Sequence, residues 1–456
     1  MSKSNRPTFT CQDCGHRVTK WLGKCPKCQA WNSFSESVAT AKLPGTKEIK
    51  SIQKLTPTLL TDVSLKEGGA RLGTGIGELD RVLGGGLVAG SLILIGGDPG
   101  VGKSTLLLMT LSQFAKRKLR TLYISGEESA RQIRLRAERL EVDTSGLHLL
   151  AETDLNSCLA AAESLKPQVI VLDSVQTLYS SVVDSVPGSV SQVREVANRS
   201  MQFAKKTGIP TFLVGHVTKQ GSIAGPKVLE HLVDTVIYFE GDGKSQLRVL
   251  RAVKNRFGST GELGFFEMMD KGLLEVPDAS ARLLSERVQN AFGTTVMAAM
   301  EGSRPILAEI QALVGRPTPA TPGRSVLGMD RHRLQMLIAV LGKVGLPLYD
   351  RDVFLSAAGG LRIIEPAADL AICAAVVSSF KEKPIPYRTL VFGEIGLVGE
   401  VRAVSHPAQR LMEAQRHGFT RVIGPKTAVK HAPEGLQVIG IRSLRQALGH
   451  LFHGDA

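Results

Sequence analysis

Residues 92–105 read Leu92-Ile93-Leu94-Ile95-Gly96-Gly97-Asp98-Pro99-Gly100-Val101-Gly102-Lys103-Ser104-Thr105, a short apolar run delivered into a glycine-rich turn. Helix-like text follows from Leu106 to Lys118. The pattern G-x4-G-K-[ST] between a strand and a helix is a phosphate-binding loop, because glycines let backbone N–H groups close on phosphate oxygens at a helix N-terminus. Lys103 is placed to reach the β- and γ-phosphates and Ser104 to offer its hydroxyl to Mg²⁺. ATP and Mg²⁺ are therefore the expected ligands of Gly97 through Thr105.

Three further apolar runs end in residues that hydrolysis needs. Val169-Ile170-Val171-Leu172 ends in Asp173, a carboxylate suited to the Mg²⁺ shell. Thr121-Leu122-Tyr123-Ile124 ends in Ser125-Gly126-Glu127-Glu128; Glu127 is the candidate for orienting the attacking water, and Glu128 reads as a helix N-cap. Thr211-Phe212-Leu213-Val214 ends in Gly215-His216, where a γ-phosphate sensor or a structural histidine would sit. Strands alternating with helices predict an α/β fold with a mostly parallel sheet and ligands at the strands' carboxyl ends.

The chain opens with Cys11-x2-Cys14 and Cys25-x2-Cys28, two knuckles ten residues apart. That spacing predicts a four-thiolate Zn²⁺ site, since each knuckle turns two thiolates onto one ion. Disulfides are the alternative, but the polar N-terminus has no apolar core of a secretory signal, which points to a reducing cytoplasmic setting. Trp21, Trp31 and Phe34 read as a small apolar lid over the metal. Cys158 and Cys373 sit alone in apolar helical text and read as core residues.

With 456 residues the chain exceeds one hydrophobic core, and two or three domains are expected. The longest apolar run, Leu370 to Val377, is far short of a bilayer span. Lys and Arg number 56 against 42 Asp and Glu, a formal charge of +14 that suits a polyanionic partner. The organisation read from the sequence is a zinc finger over 1–34, a Ser/Thr/Lys/Pro-rich linker over 35–66, an ATPase domain over 67–284 and a further domain over 285–456.

Leu72 to Gly77, Leu79-Asp80 and Leu83-Gly84-Gly85-Gly86-Leu87, together with the phosphate loop, the Ser-Gly-Glu-Glu strand end and Asp173, resemble the RecA/DnaB class of ring- or filament-forming ATPases. From about Ser285 onward the text is similar to the proteolytic domain of the Lon protease, most clearly over Gly359 to Ala375 and Gly393 to Arg402. By that resemblance the nucleophilic serine would fall on Ala367 and its lysine partner on Ala408, so both groups of the dyad are methyls and no peptidase is expected. Arg304, Arg316, Arg324, Arg331 and Arg333 are candidates for a DNA-facing surface on this domain.

The order zinc knuckles, RecA-like P-loop core, Lys254-Asn255-Arg256-Phe257-Gly258 and α+β Lon-protease-like C-terminal domain resembles the bacterial RadA (Sms) family over nearly the whole chain. The resemblance implies a homo-oligomer, as a hexameric ring, with Lys254 and Arg256 reaching the γ-phosphate of a neighbour's ATP. It implies that loops Tyr179 to Val190 and Thr218 to Lys227 line a channel for single-stranded DNA, with Lys219 and Lys227 meeting phosphates. It further implies processing of branched DNA by branch migration together with the RecA recombinase, and no membrane partner. The competing expectations are a nucleotide-gated signalling ATPase and an ATP-dependent protein-processing machine.

Overall fold

In the computed structural model, residues 8–11, 17–18, 23–29, 34–37, 59, 71–216, 229–241, 246–316 and 322–452 are described. They fall into two units, divided between Ser64 and Leu65. The first is a three-stranded antiparallel sheet of order β2-β1-β3, built from β1 (Thr8–Cys11), β2 (Arg17–Val18) and β3 (Phe34–Ser37). The second knuckle lies on a turn in which Gln29 N–H donates to the Cys25 carbonyl at 2.8 Å.

The second unit begins with α1 (Gly77–Leu83), β4 (Leu92–Gly97), α2 (Lys103–Lys116), β5 (Thr121–Ser125), α3 (Ala130–Arg139), β6 (Leu147–Ala151), α4 (Leu155–Leu165), β7 (Val169–Asp173), α5 (Val190–Thr207) and β8 (Thr211–His216). It continues through β9 (Thr235–Glu240), β10 (Leu247–Asn255), β11 (Leu263–Met269) and β12 (Gly272–Glu275). These strands form one nine-stranded sheet of order β12-β11-β10-β9-β4-β8-β7-β5-β6. From β9 to β6 all neighbours are parallel, while β10, β11 and β12 add an antiparallel wing.

The two faces of this sheet are decided residue by residue. Side chains alternate across a strand, so Ile93, Ile95, Val169, Val171, Phe212 and Val214 enter one apolar layer with Leu79 of α1 and Leu106 of α2. Leu92, Leu94, Ile170, Leu172 and Leu213 enter the other, with Cys158 of α4 and Val193 of α5. Every residue of β4 is buried, as expected of a parallel strand covered on both faces. Cys158 is a core residue here, and Cys373 is one in the C-terminal core.

The C-terminal part comprises α6 (Ala279–Leu284), β13 (Thr294–Glu301), β14 (Arg304–Gly315), β15 (Arg324–Leu327), α7 (Arg331–Lys343), β16 (Asp352–Ala357), α8 (Asp369–Lys381), β17 (Thr389–Val391), the hairpin β18 (Glu394–Ile395) and β19 (Val401–Arg402), α9 (Pro407–Arg416), β20 (Arg421–Pro425), β21 (Gln437–Ile441) and α10 (Leu444–Phe452). Its main sheet is mixed and seven-stranded, of order β15-β16-β14-β13-β17-β20-β21. It does not pack as an independent body. Leu263 and Phe265 of β11, with Ala279 and Leu283 of α6, belong to the same apolar cluster as the C-terminal helices α7 and α8. At this junction the buried Glu78 accepts the Phe265 N–H at 2.9 Å and pairs with Arg304 Nη1 at 2.9 Å.

That pairing corrects one expectation. Arg304 faces the ATPase part, Arg324 donates to the carbonyls of Gly323 and Leu348 at 2.9 and 3.1 Å, and Arg333 forms a fork on the buried Asp369. Of the five arginines read as a DNA-facing surface, only Arg316 and Arg331 are exposed. The others satisfy internal carbonyls and carboxylates, which a sequence cannot distinguish from solvent partners.

Candidate active site

The phosphate loop leaves β4 at Gly97 and enters α2 at Lys103. Gly102 takes φ +114°, and a Cβ there would stand 2.8 Å from Met268 Cε. A Cβ on Gly97 would meet the Phe239 carbonyl oxygen at 2.5 Å, so backbone crowding from β9 as well as dihedral freedom demands glycine. Lys103 is buried, and its Nζ donates to the carbonyls of Gly97 and Asp98 at 2.8 and 3.0 Å. Burial lowers its pKa, while Asp173, Glu127 and Asp98 pull the other way.

Asp173 ends β7 beside this lysine. One carboxylate oxygen accepts the Tyr123 hydroxyl, which also contacts Ser104. The other oxygen is buried and has no hydrogen-bond partner among the described residues. An unpartnered buried oxygen, on a carboxylate joined through the Tyr123 hydroxyl to the serine of the loop, is what a hard divalent cation would satisfy, so the donor set fits Mg²⁺. Burial raises the Tyr123 pKa, keeping its proton on the phenol as a donor to Asp173. Tyr123 was not a sequence-derived candidate; its position two residues before the end of a strand is ordinary core text, and only the pairing of β5 with β7 brings it to Asp173.

Glu127 lies two residues past β5, with its carboxylate over the end of β7. Its Oε1 accepts the Ser174 hydroxyl, and His216 Nε2, at the end of β8, lies 3.0 Å from the same oxygen. The His216 hydrogen bond is the largest influence holding the Glu127 pKa down to about 2, with Ser174 and Lys103 adding to it. The structure therefore brings Lys103, Asp173, Glu127 and His216 to one edge of the sheet. Glu128 is not the N-cap: its carboxylate binds Arg136, and Ser129 caps α3 in a reciprocal box with Gln132. The S-x-x-Q spacing was legible and is the better signal.

The Lys254-Asn255-Arg256-Phe257-Gly258 pentad stands elsewhere on the sheet. Lys254 Nζ donates to the carbonyls of Glu230 and Val233 at 2.6 and 2.9 Å, and burial lowers its pKa. Arg256 Nη1 pairs with Asp234 Oδ1 at 3.0 Å and is half exposed. The pairing register shifts between Ala252 and Lys254, β10 stops at Asn255, and Arg256 lies in the following turn, so the two cations do not share a strand. Asn255 is buried, donates to the Leu83 carbonyl at 3.2 Å and accepts the Phe257 N–H at 2.9 Å. Gly258 fits against that side chain, since a Cβ would lie 3.0 Å from Asn255 Nδ2.

Of the two loops expected to line a channel, Tyr179 to Val190 is organised by the buried Gln192, whose Nε2 donates to the carbonyls of Ser180, Val183 and Ser185 at 3.1, 2.9 and 3.0 Å. Val182 and Val186 are exposed at its tip. Lys219 and Lys227 lie outside the described residues. So do Cys14, Trp21, Trp31 and the side chains of Cys11 and Phe34; Cys11 ends β1, Cys25 is buried and Cys28 is exposed on its turn. Thiols carried at a strand end and on a tight turn form a donor set that suits Zn²⁺.

At the protease-like positions Ala367 is buried in the 3-10 turn Pro366–Ala368, and Ala408 is the second residue of α9. The group that dominates this region was not foreseen. Arg410 is fully buried and binds Glu365 in a fork of 2.8 and 2.6 Å, with Nε donating to the Ser405 carbonyl at 2.9 Å and Nη1 to that of Ala298. The residues flanking the two alanines are thus committed to a structural ion pair.

Comparison with known proteins agrees part by part. The family model for an AAA domain matches residues 66–222, that for a rubredoxin metal binding domain matches 9–36, and that for the Lon protease (S16) C-terminal proteolytic domain matches 357–442. A solved KaiC-like protein from Pyrococcus horikoshii is similar over 46% of this chain and 99% of its own, at 18% identity and a TM-score of 0.38, too low to carry weight. The DNA repair protein RadA of Bacillus subtilis is 48% identical, covering 98% of this chain and 99% of its own. That of Pseudomonas aeruginosa is 50% identical over 455 residues, 99% of this chain and 100% of its own. With zinc ribbon, P-loop core and Lon-like domain in the same order over matched lengths, the chain belongs to the RadA family.

Proposed function

We propose that this chain is an ATP-driven motor of recombinational DNA repair. It binds single-stranded DNA and promotes branch migration of recombination intermediates together with a RecA recombinase. The observation that carries the ATPase reading is the convergence, at one sheet edge, of Lys103, Glu127 and an Asp173 oxygen that has no hydrogen-bond partner among the described residues. The loop N–H groups and Lys103 bind the β- and γ-phosphates, Ser104 and Asp173 hold the cation shell, and Glu127 orients the attacking water. Mg²⁺ supplies charge neutralisation on the phosphate oxygens when bound.

Nucleic acid is the polyanion that the +14 charge suits. The small-residue loop Tyr179 to Val190, with Lys219 and Lys227, contacts its backbone without reading sequence. Lys254 and Arg256 act on the ATP of a neighbouring copy in a homo-oligomeric, hexameric ring; in support, their partners Glu230, Val233 and Asp234 include none of the residues that hold the chain's own phosphates. Cys11, Cys14, Cys25 and Cys28 bind Zn²⁺. The C-terminal domain is a non-proteolytic scaffold, with Ala367 and Ala408 at the dyad positions. Among the described residues no helix is long and apolar enough to cross a membrane.

The test is ATP hydrolysis by the full chain with and without single-stranded DNA. Several-fold stimulation is expected, and a rate indifferent to DNA at saturating concentration would remove the motor reading.

A further inference from the structure

Asp234 faces more positive charge than it can hold. Its Oδ1 takes Arg256 Nη1 at 3.0 Å and its Oδ2 takes the Leu92 N–H at 3.2 Å, so both oxygens are engaged. Lys205, in the last turn of α5, brings a second cation to the same carboxylate. Its Nζ lies 4.0 Å from Oδ1, beyond hydrogen-bonding distance, and its side chain is 57% exposed. Lys254 stands beside them with its Nζ on the carbonyls of Glu230 and Val233, while the Glu230 carboxylate accepts the Tyr238 hydroxyl at 3.0 Å. Three cations thus meet two acids whose oxygens already have other donors.

The approach of Lys205 is built into the backbone. Gly90, in the turn before β4, has φ +70°, and its N–H donates to the Gly208 carbonyl at 2.8 Å. A Cβ there would stand 3.1 Å from the Ala204 carbonyl oxygen and 3.5 Å from Lys205 Cα, so glycine lets the end of α5 lie against the base of β4. That base is remote from the chain's own phosphate loop. Leu92 and Gly97 are the two ends of β4, roughly 16 Å of strand apart, which is more than a lysine side chain spans.

We propose that Lys205 is a third cation of the site shared between copies, its ammonium resting on the phosphates of the neighbouring copy's ATP beside Arg256. The inference rests on the reading of Lys254 and Arg256 as acting on a neighbour's nucleotide, and it divides the work between the cations. Arg256 is a fork oriented by Asp234, suited to charge that develops at a fixed place in the transition state. Lys205 is a flexible point charge without a hydrogen bond to Asp234, and it favours the triphosphate equally in the ground and transition states. Lys205 therefore sets affinity, and Arg256 sets rate.

The experiment measures equilibrium binding of a non-hydrolysable ATP analogue, with kcat and KM for ATP, on the full chain. Lys205→Ala is expected to weaken analogue binding and raise KM about tenfold, the effect of losing one charge-assisted contact, while kcat falls no more than about twofold. Lys205→Arg keeps the charge and should bind near the parental affinity, and Lys205→Gln replaces the alanine variant if that fails to fold. Mixing Lys205→Ala with Lys103→Ala chains should return some sites to parental affinity, because an intact loop from the first then meets an intact Lys205 from the second. A lysine that merely complements the end of α5 would lower the urea midpoint and leave affinity alone. Parental affinity in folded Lys205→Ala therefore overturns the proposal, as does weakened binding that mixing never recovers. Arg256→Ala mixed with Lys103→Ala separates the two ideas: recovered hydrolysis leaves the shared site standing whatever Lys205 does, and mixed oligomers that form and stay inactive remove both.

Discussion

Asp234 holds Arg256 and the first residue of the phosphate-loop strand with different oxygens: Oδ1 lies 3.0 Å from Arg256 Nη1, and Oδ2 accepts the Leu92 N–H at 3.2 Å. The carboxylate is buried and Leu92 is fully so, while Arg256 reaches outward from it. One buried acid thus fixes the pentad to the base of β4, and the Arg256 guanidinium is oriented without contact to the chain's own nucleotide site.

Asp234→Ala is expected to cost stability as well as activity. The Leu92 N–H would be left buried without an acceptor, a loss of about 1–3 kcal/mol. The midpoint of urea unfolding should fall accordingly, and an unchanged midpoint would show that the strand finds another acceptor.

Arg256→Ala should cut DNA-stimulated hydrolysis roughly a thousandfold or more, as the loss of an arginine finger does in other P-loop enzymes. Nucleotide affinity should change far less, because a finger acts on the transition state. Mixing Arg256→Ala with Lys103→Ala chains should restore measurable hydrolysis, since some interfaces then join an intact loop to an intact finger. Mixed oligomers that form and stay inactive at every ratio would count against sharing of the site between copies.

Lys103→Ala and Glu127→Gln should fail differently. The first removes the buried ammonium that now rests on the Gly97 and Asp98 carbonyls, and ATP binding should weaken with hydrolysis. The second keeps the loop intact, so ATP should bind at parental affinity and remain uncleaved. Equilibrium binding beside single-turnover hydrolysis distinguishes the two, and parental turnover by Glu127→Gln would move the water-orienting role elsewhere.

Arg410→Ala would strand Glu365 and the Ala298 carbonyl inside the C-terminal domain. Breaking a buried pair from one side costs about 3–5 kcal/mol. Arg410→Lys should recover little of it, because a single ammonium cannot reproduce the fork on Glu365. Loss of the C-terminal domain's resistance to limited proteolysis reports the effect; wild-type resistance in Arg410→Ala would make the pair dispensable.

The six cysteines should divide by reactivity. Burial pushes the Cys158 thiol up to about 12 and raises that of Cys373 further, so both stay protonated and covered near pH 8. With Zn²⁺ bound, the four N-terminal thiols are protected; a chelator should expose those four to alkylation and leave Cys158 and Cys373 unlabelled until urea is added. Four reactive thiols before chelation, with no zinc by metal analysis, would refute the metal site.

The phosphate loop was legible because its chemistry is local: strand, glycine turn, lysine and helix follow one another within fourteen residues. The knuckles have the same local character, whereas Ala367 and Ala408 were placed by resemblance to the Lon domain alone. The Tyr123–Asp173, His216–Glu127, Asp234–Leu92 and Arg410–Glu365 contacts were not, since each joins residues that only strand order or helix packing brings together. Basic side chains misled most: Arg304, Arg324 and Arg333 have the composition of a polyanion surface and the positions of internal braces.

The apolar cluster shared by β11, α6, α7 and α8, with the buried Glu78 paired to Arg304 at its seam, packs the ATPase part against the Lon-like part. In the proposed ring, the two large domains of each copy would then turn together, so that a stroke driven by ATP hydrolysis would be taken up as slippage between adjacent copies, and a lesion in the C-terminal seam would be felt at the nucleotide site as lost stiffness.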